Sequence, residues 1–275
     1  MHVARKRFGQ NFLVDAAVIE AIVKAIGIDA SDRVIEIGPG LGALTRPIAK
    51  ARQDLAAEPL HVVELDRDLV GRLQAGAERD GIVVHAADAL QFDFHMLATE
   101  ARRLRIIGNL PYNISSPLLF HLVGAIDVVR DQHFMLQKEV VQRMTAAPGQ
   151  GAFGRLSVML QVHYRMEHLF DVPPEAFDPA PKVTSAIVRM LPDARLSAQI
   201  KDPAGFALLV LQAFGQRRKM LRNTLAEYHQ IIRLESVGIA ETARAEEVSP
   251  EQFVMYANQF EGIGSKLRAV GSPAS

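Results

Sequence analysis

Short apolar runs alternate with helix-length stretches through the first half of the chain. Residues 33–37, 60–65, 81–85, 104–108 and 133–137 are strand-like runs, and the segments between them are of helix length. Such alternation predicts a parallel sheet with helices on both faces. Residues 157–170 and 185–191 are expected to add two strands paired at one edge, seven in all. Residues 192–195, Pro-Asp-Ala-Arg, form a candidate linker, after which residues 203–260 keep helical periodicity with no convincing strand. The predicted fold is α/β, a Rossmann-like seven-stranded sheet followed by a small all-helical domain. The expected domains are 1–191 and 196–261, with 262–275 a flexible tail. In the second domain Phe214, Leu221, Leu225 and Tyr228 are expected to share one apolar helix face.

Composition narrows the chemistry. The 275 residues include no cysteine, so disulfides, thiolate metal sites and cysteine nucleophiles are excluded. The nine histidines are scattered without ligand spacing, and no metal site is expected. Arg5, Lys6 and Arg7 precede Phe8-Gly9-Gln10-Asn11-Phe12, not the continuous apolar stretch of a signal peptide. The strongest apolar run, residues 206–211, is far below the ~20 residues that span a bilayer. A soluble, cytoplasmic protein without membrane contact is expected. Lys+Arg and Asp+Glu balance at 31 each, so overall charge gives no support to a nucleic-acid partner. Distribution says more: basic residues cluster at 5–7, at 102–105, and at Arg217, Arg218, Lys219 and Arg222. Each cluster reads equally as a solvated face.

The strand ends carry the candidate chemistry. After the first comes Gly38-Pro39-Gly40-Leu41-Gly42, a turn through which backbone can approach a ligand. Gly38, Gly40 and Ala43 also satisfy a loose dinucleotide fingerprint, so a nicotinamide cofactor stays open at this point. Glu64-Leu65-Asp66 closes the second strand with a carboxylate placed for ribose hydroxyls, which NAD and S-adenosylmethionine share. Asp88, after the third, could accept from the amine of a bound adenine, which favours S-adenosylmethionine; Asp66 and Asp88 could equally cap the helices that follow. The fourth strand ends in Asn109-Leu110-Pro111-Tyr112. An adenine amine is a poor nucleophile because its lone pair is delocalised into the ring, and acceptors aimed at its hydrogens draw that pair back. The Asn109 side-chain oxygen and the Leu110 carbonyl can accept, Pro111 stiffens the turn, and Tyr112 offers a face to a flipped base. Taken alone, the same four residues also read as a turn closing a strand.

In this order the motifs resemble the adenine-N6 dimethyltransferases of ribosomal RNA, most closely their bacterial small-subunit branch. The resemblance is carried by residues 5–13 (RKRFGQNFL), 38–42 (GPGLG), 64–68 (ELDRD) and 109–115 (NLPYNIS). It continues through 136–140 (LQKEV), 154–158 (GRLSV), 177–185 (FDPAPKVTS) and 212–219 (QAFGQRRK). It implies S-adenosylmethionine as cofactor, held by Asn11, Leu13, Gly38, Gly40, Glu64, Asp88 and Asn109. It also implies Phe177 as a second stacking face for the target base, and rRNA contacts from Arg5, Lys6, Arg7, Arg217, Arg218, Lys219 and Arg222. The implied reaction dimethylates two adjacent adenosines in a 3'-terminal hairpin of 16S rRNA, with the small ribosomal subunit as partner and a monomeric enzyme. Methylation of 23S rRNA, or an assembly role resting on binding, are the alternatives.

Overall fold

The structure is a computed structural model, and it describes residues 11–99, 102–216 and 218–260. A seven-stranded sheet runs in the order β4-β3-β2-β5-β6-β9-β7, from β2 (Arg33–Ile37), β3 (Leu60–Glu64), β4 (Ile82–Ala86), β5 (Leu104–Asn109), β6 (Val129–Gln137), β7 (Tyr164–Val172) and β9 (Ser185–Pro192). β2, β3, β4, β5 and β6 are joined by parallel pairings, in registers such as Glu36↔Val62 and Glu36↔Ile107, and β9 runs antiparallel to β6. The central strands are apolar because both faces are covered: Val34, Ile35, Leu60, Val62, Ile106 and Ile107 have no exposure to solvent. Sequence order reverses at β2, flanked by β3 on one side and β5 on the other. At such a switch point the loops after neighbouring strands diverge and leave a crevice at the carboxyl edge.

A second, two-stranded sheet pairs β1 (Phe12–Leu13) with β8 (Phe177–Asp178), in the register Phe12↔Asp178 and Leu13↔Phe177. The Val14 N–H extends it by donating to the Ala176 carbonyl at 2.8 Å. Helices α1 (Ala16–Ile26), α2 (Thr45–Asp54), α3 (Arg67–Gln74) and α4 (Ser115–Val123) connect the strands, and α1 is capped at Asp15, whose carboxylate accepts from Ala17 and Val18.

Backbone contacts divide the chain into two units, 1–141 with 166–192, and 142–165 with 193–275. The second is helical: the end of α5 (Lys138–Thr145), α6 (Arg155–Gln161), α7 (Ala194–Ser197), α8 (Pro203–Ala213), α9 (Leu221–Thr224), α10 (Ala226–Ile231) and α11 (Pro250–Ala257). Its core includes Phe153, Val158, Val162, Phe206, Val210, Leu221, Tyr228, Phe253 and Tyr256.

Three expectations change here. The strand expected at 157–170 begins only at Tyr164, and residues 155–161 are helix. Ser157 fixes that helix by accepting from the Gly154 N–H at 2.9 Å and donating to the Arg143 carbonyl. With Leu156, Ser157, Val158 and Leu160 all buried, no polar face remains to give a helical period. Phe214, Leu221, Leu225 and Tyr228 lie not on one helix but on a 3-10 turn, on α9, at the break after α9, and on α10. Leu221, Leu225 and Tyr228 are buried and Phe214 packs against the same core, so the inward face exists on a broken path. β6 also starts earlier than expected, at Val129, because Arg130, Asp131 and Gln132 are polar residues within a strand.

Candidate active site

The crevice at the switch point is lined from every strand end that the sequence singled out. Gly38, Pro39, Gly40 and Leu41 follow β2, Glu64 and Asp66 close β3, Asp88 follows β4, and Asn109, Leu110, Pro111 and Tyr112 end β5, while Asn11, Phe12 and Leu13 reach it from β1. The turn after β2 is left-handed at Gly38 and Gly40, with φ of +67° and +58°. At Gly40 a side chain would also sit 3.3 Å from the Phe12 ring, so glycine serves both the turn and the close approach of β1.

Glu64 is fixed by backbone. Its Oε1 accepts from the Leu65 and Asp66 N–H groups, each at 2.9 Å, and its Oε2 accepts from Gly40 at 3.3 Å. Burial raises its pKa, and the three backbone donors oppose that rise. The carboxylate is thus oriented before any ligand arrives, with acceptor capacity left on Oε2. Asp66 is the N-cap of α3 and accepts from Asp68 at 3.1 Å, so its structural role is occupied locally. Asp88 accepts from Leu90 through Oδ1 at 2.9 Å, which leaves Oδ2 for another donor.

At the end of β5 the Asn109 amide donates from Nδ2 to the Asn11 carbonyl at 3.2 Å. That bond turns Oδ1 into the acceptor available to the crevice. The Leu110 side chain is buried, and its N–H donates to the Met135 carbonyl, so the turn is anchored to β6. Tyr112 is half-buried, with its hydroxyl 2.7 Å from Ser185 Oγ; burial raises its pKa, and the ring is held as a neutral phenol.

Phe177 is not brought to this crevice. It pairs with Leu13 and packs with Ile22 and Ile187 at 4% exposure. Arg5, Lys6, Arg7 and Arg217 lie outside the described residues. In the helical unit Arg218 and Lys219 are exposed, whereas Arg222 reaches Glu241 at 3.5 Å, an acid that also pairs with Arg233. Arg222 is therefore partly neutralised within its own unit.

Two residues escaped the sequence reading. Ser185 holds the Tyr112 hydroxyl, and Glu36, inside β2, lines the crevice at 2% exposure. Burial pushes the Glu36 carboxyl up to about 7, the Glu64 charge adds to that, and the nearby Thr45 hydroxyl opposes it. A glutamate within Val-Ile-Glu-Ile, an otherwise apolar strand, was the available signal. Four acids (Glu36, Glu64, Asp66 and Asp88) line the crevice with no lysine, arginine or histidine among the described lining residues. Such a lining suits a ligand that brings positive charge and hydroxyl hydrogens.

A family model described as ribosomal RNA adenine dimethylase matches residues 1–261. The chain belongs to that family. It is 56% identical over 260 residues to the ribosomal RNA small subunit methyltransferase A of Burkholderia mallei, covering 93% of each. Against the protein of the same name from Burkholderia ambifaria it is 55% identical over 273 residues, covering 98% of this chain and 96% of the relative. Among solved structures, a dimethyladenosine transferase from Plasmodium falciparum shares its fold, with a TM-score of 0.76 at 22% identity over 92% of this chain and 98% of that one. The 23S rRNA methyltransferase ErmE superposes with a TM-score of 0.68 at 25% identity, over 91% and 100%. As a member of the dimethylase family the protein is an S-adenosylmethionine-dependent rRNA methyltransferase, and the nicotinamide reading of the glycine turn falls away. Among the described residues no helix is long and apolar enough to cross a membrane, and no cluster of three or more His, Asp or Glu could hold a metal ion.

Proposed function

We propose that this enzyme dimethylates N6 of two adjacent adenosines in the 3'-terminal hairpin of 16S rRNA during small-subunit biogenesis, acting as a monomer. The observation that carries the site assignment is the ordered set of groups at four successive strand ends, prearranged by backbone hydrogen bonds. Glu64 takes the ribose hydroxyls and Asp88 the adenine amine of S-adenosylmethionine, with Gly38, Gly40, Asn11 and Leu13 closing around them. When bound, that cofactor supplies an electrophilic methyl group on a sulfonium sulfur.

The target adenine enters against Tyr112. Asn109 Oδ1 and the Leu110 carbonyl accept its two amine hydrogens, localising the lone pair on N6 and aligning it with the methyl. With the cofactor bound, the new N–C bond would form as its S–C bond breaks, and N6 would then release a proton to solvent. No general base is required, because the amine becomes strongly acidic once alkylated. For the second transfer one hydrogen remains, and the other acceptor must tolerate a methyl group. Arg218 and Lys219, with Arg217 and the N-terminal Arg5, Lys6 and Arg7, supply phosphate contacts, and Arg222 contributes less because Glu241 is beside it.

The test is labelled S-adenosylmethionine with purified unmethylated small and large subunits, followed by nucleoside analysis. Dimethyladenosine in the small-subunit RNA alone is expected. Label in the large-subunit RNA would move the substrate to 23S rRNA.

A further inference from the structure

Tyr112 is held at both of its ends by a buried serine. Its carbonyl accepts from Ser115 Oγ at 3.1 Å, in the first turn of α4, and its hydroxyl lies 2.7 Å from Ser185 Oγ, at the start of β9. Ser115 is 3% exposed and Ser185 not at all. The two bonds differ in reach. Ser115 is three residues away and belongs to the local turn, whereas Ser185 is 73 residues away and joins Tyr112 to the sheet. Asn109 pairs with Met135, Met135 with Ile187, and Gln137 with Ser185. Paired residues project to one face of a sheet, as do residues two apart on a strand, so Asn109 and Ser185 share a face. The amine acceptor and the anchor of the ring thus stand on one rigid frame.

We infer that Ser185 is a positioning residue for methyl transfer: through the Tyr112 hydroxyl it fixes the stacking face relative to Asn109, so that a target adenine meets acceptors and ring in a single pose. This rests on Tyr112 as the face against which the adenine stacks. Among the described residues Ser185 does not line the crevice, so it acts through Tyr112. A ring on a loop otherwise turns about its two side-chain torsions within nanoseconds. A hydrogen bond at the far end of the ring fixes its axis, and because a phenol O–H prefers the ring plane, the same bond restrains that plane. The acceptors address the amine hydrogens while the ring addresses the face of the base. An adenine that satisfies one and tilts against the other turns its N6 lone pair away from the methyl, which lowers the rate at saturation more than it lowers binding.

Single-turnover methylation of unmethylated small subunits, at saturating S-adenosylmethionine and across subunit concentrations, tests this with Ser185→Ala, Tyr112→Phe and the double variant. Each single variant is expected to lower the saturating rate about tenfold, the scale of one hydrogen bond, with the half-saturating subunit concentration and the S-adenosylhomocysteine Kd within about twofold of wild type. The double variant should be no slower than either single one, because both remove the same bond. Tyr112→Phe keeps the ring and reads the bond from its other end should Ser185→Ala fail to fold. A wild-type saturating rate in either single variant would overturn the role of Ser185, and so would two losses that multiply in the double variant. An S-adenosylhomocysteine Kd that rises in step with the rate loss would make Ser185 a support of the crevice instead. Tyr112→Ala separates the inference from its premise. Methylation lost in Tyr112→Ala but unimpaired in Ser185→Ala and Tyr112→Phe would leave the stacking face standing without Ser185; normal methylation by Tyr112→Ala would remove the stacking face and the inference with it.

Discussion

At the amino-terminal end of the sheet, Arg105 on β5 donates to both carboxylate oxygens of Asp131 at 2.8 Å, to Asp32 at 2.7 Å and to the Gly27 carbonyl at 2.8 Å. At the carboxyl end of the same strands, Glu36 and Glu64 are equally buried and meet no cation. Both ends bury carboxylates at similar depth. One is closed upon itself: three buried ionic groups, with Arg130 adding to Asp32 from the rim, satisfy one another. The other is open, its carboxyl groups destabilised by burial and opposed in that only by backbone N–H groups at Glu64 and by the Thr45 hydroxyl at Glu36. A buried charge that the fold pairs belongs to the fold, and acids that it leaves without a cation beside a crevice mark a candidate site.

The largest effect should come from breaking the closed end. Arg105→Ala leaves Asp32 and Asp131 facing each other without their shared cation, and removal of one partner from a buried pair costs about 3–5 kcal/mol. Denaturant unfolding should show that loss, while the folded fraction binds S-adenosylhomocysteine as before. A loss below about 1 kcal/mol would remove the structural reading of this network.

The open end should answer in the opposite direction. Glu36 rises from an ordinary 4.5 to about 7 on folding, so the folded protein holds its proton more tightly than the unfolded chain. Its cost is absent below pH 4.5, grows as pH rises, and is complete above 7, where it amounts to about 3 kcal/mol. Ligand-free Glu36→Gln should therefore be more stable than wild type at pH 8 by up to that amount, and no more stable at pH 4. A variant less stable at pH 8 would mean that Glu36 supports the fold.

Glu64 should separate binding from stability. Glu64→Ala is expected to weaken S-adenosylmethionine and S-adenosylhomocysteine alike by about 1.5–3 kcal/mol, as for charge-assisted bonds, with RNA affinity unchanged. An unchanged cofactor Kd would place Glu64 outside the binding contacts. The smallest effect concerns the helical unit: Arg218→Ala with Lys219→Ala should flatten the salt dependence of subunit binding by up to about two phosphate contacts. Superimposable salt series for wild type and variant would remove these residues from the RNA interface.

The central strands at the cofactor side were legible because both their faces are buried and their runs are unbroken; Arg33–Ile37 is found as expected, β3 and β5 differ by one residue at one end, and β4 is displaced by one residue. The same rule failed where burial and polarity conflict. The start of β6 was hidden by Arg130 and Asp131, whose partner Arg105 lies 26 residues away and leaves no local trace. α6 was hidden by burial on nearly every side. The lining of the crevice was legible where a residue ends a strand, as with Gly38, Glu64, Asp88 and Asn109. It was not where a contact depends on pairing across the chain: Phe177 is set opposite Leu13, and Ser185 meets Tyr112 only after 73 residues. Glu36 was in plain view, the one acid within the otherwise apolar run Val34 to Ile37.

The central claim is that the end of β5 holds an adenine amine for transfer, and single-turnover methylation of unmethylated small subunits by Asn109→Ala tests it most directly. Loss of one preorganised acceptor predicts a rate lower by about 10²-fold or more, with the cofactor Kd moving far less. Near-normal methylation by that variant would contradict the account.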